Sequence, residues 1–512
     1  MKSLRRNFLK QVGYTAGALG LGSWLGALPA VSARQLRFNP ERVRFQSGIE
    51  PMVRLIETTP RQELIEVMAK RIQAGASYQE VLAALLLAGV RNVQPRPAVG
   101  FKFHSVLVVN SAHLASQASP GSERWLPILW ALDYFKSTQL EEEQTSGWKM
   151  AAVDEANVPN AINARKAFVH AMDNWDPEAA DCAIAGLVRA AGKNELFELF
   201  CRYGARDYRS IGHKAIYVAN SFRTLECIGW HHAEPVLRSL TFALQNHEGE
   251  PNPSKNDLPA DQAWRDNQKL VDGISDAWQV GKPDMNATYD LVTTLRQADS
   301  NEAARSSIDV LGNSVSPRSI WDAVFLSAGE LLMQQPGIIG LHGLTTANAL
   351  HYAYQTSGDQ QTRKLLLLQA CSFLPMFRQS ARGRGGLKEI TLPKLIEDSA
   401  GYSKTDSQAE AVAEIFQQVS ADRYRAASSL LGYLETGGGP KDVIDTARRL
   451  VFAKGRDAHD YKFSSAVLED FEHLSVECKK PFLAMSVFNL KGALDSDNRL
   501  VERVQSALKI GS

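Results

Sequence analysis

The chain reads as an all-α protein of repeated helical hairpins, and two observations predict this. Apolar residues recur at spacings of three and four through most of its 512 residues, as in ELIEVMAKRIQ, YQEVLAALLLAGV, EPVLRSLTFALQ, TRKLLLLQACSFL and DVIDTARRLVFA. No stretch alternates in the manner of a strand, and no Asn-Gly hairpin signal occurs. Helices of 10–20 residues separated by short Gly, Pro or Asp breaks fit such a fold.

The first segment stands apart. MKSLRRNFLK carries the pair Arg5-Arg6 followed by Asn7-Phe8-Leu9-Lys10, which resembles a bacterial twin-arginine (Tat) export signal with Leu4 in place of the usual Ser or Thr. Residues 11–28 are apolar but hold five glycines, too few strong apolar residues for a stable membrane span. Val31-Ser32-Ala33 offers small residues for cleavage, with no Cys nearby for lipid attachment. The resemblance implies a Tat signal peptide over 1–33, the Tat machinery as a partner, and a periplasmic or secreted mature protein. That pathway moves folded proteins, often already loaded with a cofactor.

The whole chain has 57 basic and 56 acidic residues. Without Lys2, Arg5, Arg6 and Lys10 the balance is 53 to 56, a net charge of −3. Such a balance argues against nucleic acid or an anionic membrane as a partner. No segment of the mature chain is apolar enough to span a bilayer. The five cysteines contain no Cys-x2-Cys pair and sit in apolar helical contexts, so buried reduced thiols are expected rather than a disulfide framework.

Breaks at 91–100, 248–259, 381–386 and 436–440 organise the chain. EGEPNPSKNDLP at 248–259 divides it near the middle. The expected organisation is an N-terminal helical-hairpin half over 34–247, a linker loop with connecting helices over 248–330, and a C-terminal helical-hairpin half over 331–512.

A pattern written twice gives the hairpins their chemistry. FHSVLVVNSAHLASQ at 103–117 and LHGLTTANALHYAYQ at 341–355 both read His-x5-Asn-x2-His-x-Ala-x-Gln. The first copy supplies His104, Asn110, His113 and Gln117; the second supplies His342, Asn348, His351 and Gln355. With one residue inserted, Arg124, Leu126, Leu129 and Ala131 match Arg363, Leu365, Leu368 and Ala370. Each copy is a helix, a polar turn and a second apolar helix. A looser copy at 212–243 supplies His213 and Asn220, and looser ones still surround His170 and His459.

A hairpin cannot bury its apolar face alone, so repeated hairpins stack into a curved or closed bundle. Equivalent positions then project toward one side, and a central His-lined cavity is expected. His104, His213 and His342 are the candidate metal ligands; His170, His232 and His459 are additional candidates. Asn110, His113, Asn220, Asn348 and His351 are expected to support them from behind. His104 and His113 are nine residues apart and point to opposite sides of a helix, so they do not chelate one ion together. Imidazole sets suit iron or copper, with zinc less favoured. A competing account has His, Asn and Gln lacing neighbouring hairpins through hydrogen bonds.

Other signals are less pointed. GWHHAEP places His231 and His232 before Pro235, as at a helix start. Arg202, Arg206, Asp207 and Arg209 cluster before His213 as a substrate clamp or surface ion pairs, and Asp460 stands beside His459 as a partner for that ring. Arg382 and Arg384 lie on a Gly-rich loop. There is no Cys-x2-Cys-His for covalent haem, no His-Glu-x2-His, no Gly-x-Ser-x-Gly and no nucleotide-binding Gly-rich loop outside the signal segment.

GLHGLTTANAL, FHSVLVVNSAHLA and GHKAIYVAN are similar to the His-bearing helices of questin oxidase-like proteins. That resemblance implies an all-helical fold and Baeyer–Villiger-type oxidation of polyketides, although the NADPH such chemistry uses is absent outside the cytoplasm. The expected function is an exported metal-dependent oxidoreductase, oxygenases included, acting on a small organic substrate. The alternative is a non-catalytic exported helical scaffold or binding protein with structural histidines.

Overall fold

The computed structural model describes residues 42–95, 103–121, 123–245, 252–255, 258–403 and 407–509. The expected Tat signal peptide over 1–33 lies outside the described residues. From Arg44 onward the chain forms one unit.

The described residues hold 23 α-helices and no strand. In order they are α1 (Glu50–Thr58), α2 (Arg61–Gln73), α3 (Tyr78–Asn92), α4 (His104–Ala118), α5 (Leu126–Thr145), α6 (Ala161–Asn174), α7 (Pro177–Ala190) and α8 (Lys193–Ala205). Next come α9 (His213–Ile228), α10 (Ala233–Gln245), α11 (Pro259–Leu270), α12 (Met285–Gln297), α13 (Ser300–Gly312), α14 (Pro317–Gln334), α15 (Ile338–Thr356) and α16 (Gln360–Arg382). The last are α17 (Leu392–Ser399), α18 (Gln408–Ala421), α19 (Arg423–Glu435), α20 (Pro440–Lys454), α21 (Ala458–His473), α22 (Val476–Ser486) and α23 (Arg499–Lys509). None is long and apolar enough to cross a membrane. The segment expected to connect the two halves carries α11, α12, α13 and most of α14.

Local chemistry sets the helix starts. Asp176, Asp284, Asp299, Asp359, Asp422 and Asp457 each accept a bond from a first-turn amide through the side chain, and Asp299 with Glu302 completes a capping box. GWHHAEP forms a 3-10 turn over Trp230–His232 that leads into α10.

Four helices lie at the centre. α4 packs against α9 and α21, and α15 packs against the same two. Each has its return helix beside it: α5 beside α4, α10 beside α9, α16 beside α15 and α22 beside α21. Fifteen of the nineteen residues of α15 are buried, so this helix shows protein to nearly every side and lacks a solvent stripe.

The two clear hairpin copies share the C-terminal end of their first helix, since Ala118 and Thr356 are equivalent positions. Their second helices differ. Pro127 sits in the first turn of α5, whereas Asp359 caps α16 through the Thr362 amide. α16 therefore begins at Gln360, five residues ahead of the position matching Leu126, somewhat more than one turn. The copies share the end of their first helices, but α15 starts four residues ahead of the position matching His104 and the turns differ.

In the RYGARDYRS segment Arg202 forms an exposed ion pair with Asp359, whereas Asp207 and Arg209 are buried. Lys214 Nζ lies 2.7 Å from Asp207 Oδ2 and Arg209 lies 2.5 Å from Asp261 Oδ2, all four side chains within 1 % of full burial. Removing one partner of such a pair strands a charge. Asp207→Ala should therefore lower unfolding stability by about 3–5 kcal/mol, while replacing both Asp207 and Lys214 with apolar residues should cost far less. Urea denaturation of the two variants checks this; equal losses would show that the stranded Lys214 charge carries no cost of its own.

Candidate metal centre

Each central helix carries a histidine within its first five residues. His104 and His213 open α4 and α9, His459 is second in α21, and His342 is fifth in α15. Two turns further on, Asn110 meets Asn220, and Asn348 donates to Glu469 and Asp470. The matching levels show the four helices running side by side in one direction, with the four rings gathered at their N-terminal ends.

His213 Nε2 lies 2.9 Å from His104 Nε2 and 2.9 Å from His342 Nε2. Ligating nitrogens of His104, His342 and His459 all fall within 4.8 Å of one another. The His104 and His459 rings meet edge to face with centroids 4.5 Å apart. His104, His213 and His342 are buried; His459 forms the partly exposed edge.

The outer nitrogens determine what the inner ones carry. His213 Nδ1 is 2.9 Å from the Ser210 carbonyl, and His342 Nδ1 is 2.8 Å from the Ile338 carbonyl. A carbonyl only accepts, so both rings hold their hydrogen on Nδ1 and present a lone pair at Nε2. Between His213 and His342 two lone pairs thus face each other at 2.9 Å with no hydrogen of their own. His104 can donate from Nε2 to His213, which leaves the other contact unrelieved. His459 Nδ1 turns toward Asp457, 3.5 Å away, and its Nε2 is buried without a partner. A carboxylate behind a histidine with the second nitrogen free is the arrangement found behind metal-bound imidazoles.

Local sequence makes these positions. Asp457 caps α21 by accepting from the His459 and Asp460 amides, so one carboxylate starts the helix and backs the ring. Ser210 and Ile211 form a tight turn closed by Gly212, whose φ is +83°. A Cβ at Gly212 would stand 1.9 Å from Thr346 Oγ1 on α15. Glycine there lets the α9 entry press against the helix that carries His342.

Burial pushes His104, His213 and His342 well below the usual histidine range. The Lys462 ammonium adds to this at all three, and neighbouring rings contribute. Lys462, fully buried, is itself pushed down to about 7 by desolvation. Asp457 is pulled down to about 2, first by its bond to the His459 ring. His104, His213 and His342 are neutral at neutral pH, as ligation requires.

The remaining expected residues fall elsewhere. His113 bonds to Tyr78 and Cys227 far down α4, and His351 packs among Trp321, Phe325 and His473. Nine residues carry each of them half a turn away from its partner histidine, so neither supports the cluster. His170 is exposed beside Asn174, and His232 stacks on His231. Asp460 serves Lys491 and the Arg456 amide, so the ring's partner is Asp457 and not its sequence neighbour. Asn110, Asn220 and Asn348 do not reach the rings; with Lys462, Arg223 and Glu469 they line a cavity of about 10 Å³ beneath them. That is room for one water. No histidine lines it, in contrast to the expected His-lined cavity. Asp457 and Lys462 escaped the sequence reading, although the HDYKF stretch holds one and adjoins the other. All five cysteines are unpaired.

No family model, curated protein or solved structure matches the chain.

Each buried histidine is protonated more readily in the unfolded chain than in the folded one. Stability held above about pH 6.5 should then fall as pH drops through the histidine range, by about 1.4 kcal/mol per pH unit for each ring, until the folded-state values are reached. Urea titrations between pH 7.5 and 5 with a chelator present would read this slope, and His342→Asn should make it shallower. A flat profile would show that the folded rings take up protons as readily as the unfolded ones.

Proposed function

We propose that the chain is an exported metal-dependent oxidoreductase whose centre is the cluster of His104, His213, His342 and His459. The opposed Nε2 lone pairs of His213 and His342 carry this reading. Two neutral rings do not rest at 2.9 Å with nothing between them, and a cation supplies what the contact lacks. Burial lowers the proton affinity of His104, His213 and His342, and a metal ion engaging several ring nitrogens at once would offset the repulsion from Lys462 better than a proton shared by two.

Iron or copper suits four imidazoles. With metal–nitrogen bonds of roughly 2.0–2.1 Å, an Nε2 spacing of 2.9 Å corresponds to bond angles of about 90°. This favours square or octahedral geometry over the tetrahedron that zinc prefers. The neighbouring cavity admits a molecule no larger than water. Water would approach from that side, and dioxygen or a small organic substrate from the partly exposed His459 edge. The likeness of the His-bearing helices to questin oxidase-like proteins agrees with an oxidative reaction, and the twin-arginine segment with export after metal loading.

Protein purified through its own export route should contain about one iron or copper per chain by elemental mass spectrometry, and its visible absorption should bleach with dithionite and return in air. His213→Asn and His342→Asn should each lose the metal while keeping the helical circular dichroism of the parent. A parent that is metal-free and takes none up would overturn the proposal in favour of a scaffold. Metal without any redox response would leave a structural ion. Export has its own check: Arg5→Lys with Arg6→Lys should leave uncleaved precursor in the cytoplasm, and normal export of that variant would refute a twin-arginine signal.

A further inference from the structure

At the opposite end of α4 and α9 lies a second cluster that the metal centre does not use. Cys227 Sγ is 3.2 Å from His113 Nε2, and His113 Nδ1 is 3.0 Å from the Tyr78 hydroxyl. The three residues come from α9, α4 and α3, and each is half-buried with a solvent-facing side. Tyr78 is held in turn by Ser116 and Gln117, the Arg124 guanidinium 4.8 Å over its ring, and Trp125 against it. A thiol, an imidazole and a third group that fixes the imidazole form the arrangement of an assisted nucleophile.

We propose that Cys227 is a base-assisted thiol that forms mixed disulfides with small disulfides, with His113 as the base and Tyr78 as its positioning residue. When Nδ1–H donates to the Tyr78 oxygen, Nε2 is left to accept from the thiol. Sγ attacks one sulfur of the disulfide and its proton passes to His113 Nε2. A new S–S bond forms, the old one breaks, and the departing half leaves as a thiolate.

Two features select sulfur as the target. Burial and neighbouring Glu226 raise the Cys227 thiol, and burial and Arg124 lower His113, so the pair rests neutral instead of as thiolate and imidazolium. The proton therefore moves during attack. Acyl transfer would also need donors for an oxyanion, and the adjacent amides are spent: Cys227 and Ile228 lie inside α9, and the Gly229 amide bonds to the Leu225 carbonyl. Displacement at sulfur makes no oxyanion. The internal repeat shows that the thiol is particular to one half. Fourteen residues after the ring histidine, the C-terminal half has His473 where the other has Cys227; His473 faces His351 with ring centroids 5.2 Å apart.

Cys182 is a built-in control. It is half-exposed and its thiol is likewise raised by burial, but its only polar contact is the Asp154 carbonyl at 3.8 Å. The folded full chain is treated with dithiobis-nitrobenzoate, and mass spectrometry follows each cysteine with time. Cys227 should react first. Its rate should stay nearly level as pH falls from 8 toward the histidine range, where an unassisted thiol loses about tenfold per pH unit. His113→Gln should slow Cys227 by about 100-fold or more and restore the steep pH dependence, leaving Cys182 unchanged. Tyr78→Phe should cause a smaller loss. A Cys227 that reacts no faster than Cys182, or with the same steep pH slope in the unaltered chain, would overturn the proposal. The pH profile decides the matter even if His113→Gln misfolds, and neither readout depends on bound metal.

Discussion

Two backbone carbonyls, those of Ser210 and Ile338, hold the centre of this molecule in its chemical state. By taking the Nδ1 hydrogens of His213 and His342, they turn both Nε2 lone pairs toward each other. Much of the surrounding structure serves to keep those carbonyls in place. The turn bearing Ser210 is anchored on one side by the buried Asp207–Lys214 pair and on the other by Gly212 against Thr346. Ile338 is the first residue of α15, one turn before the ring, so its carbonyl is also committed by helix geometry.

The same end of the bundle is electropositive. Four parallel helices bring their N-termini there, each contributing partial positive charge, and Lys462 adds a buried ammonium. Among the groups facing the rings only Asp457 opposes this, from behind His459. The arrangement explains why the rings resist protonation, since a proton meets both burial and repulsion. In the proposed centre a metal ion would meet the same field but would gain up to four nitrogen bonds, which a proton does not. Its surroundings would favour the lower oxidation state and draw an anion to any open position.

Helix content and the paired hairpins were legible in the sequence because both follow from spacing alone. His104, His213 and His342 were legible for a related reason: equivalent places in equivalent helices face the same way. Reading stopped where the answer depended on loops and side-chain reach. The turn of the second hairpin starts early because Asp359 caps it, and His459 is backed by a capping residue two places before it instead of its neighbour Asp460. His113 and His351 share the repeat but not the site, since nine residues place them half a turn away. The meeting of Tyr78, His113 and Cys227 joins positions 35 and 114 residues apart and leaves no mark in spacing.

The duplication explains the geometry of the centre, and the departures from it explain its direction. α4 and α9 correspond to α15 and α21: His104 with His342, His213 with His459, Asn110 with Asn348. Arg223 and Glu469 stand ten residues after their ring histidines and pair with each other at 2.8 Å, across the approximate two-fold. A strictly repeated chain could not make that bond, because equivalent positions would carry the same charge. The repeat thus brings four converging rings together, and opposite charges at one level join the halves. Lys462 in one half faces the cavity where Ile216 stands in the other. Such differences make the two sides of the centre inequivalent, as they must be if a reactant is to enter from one side and a proton from the other.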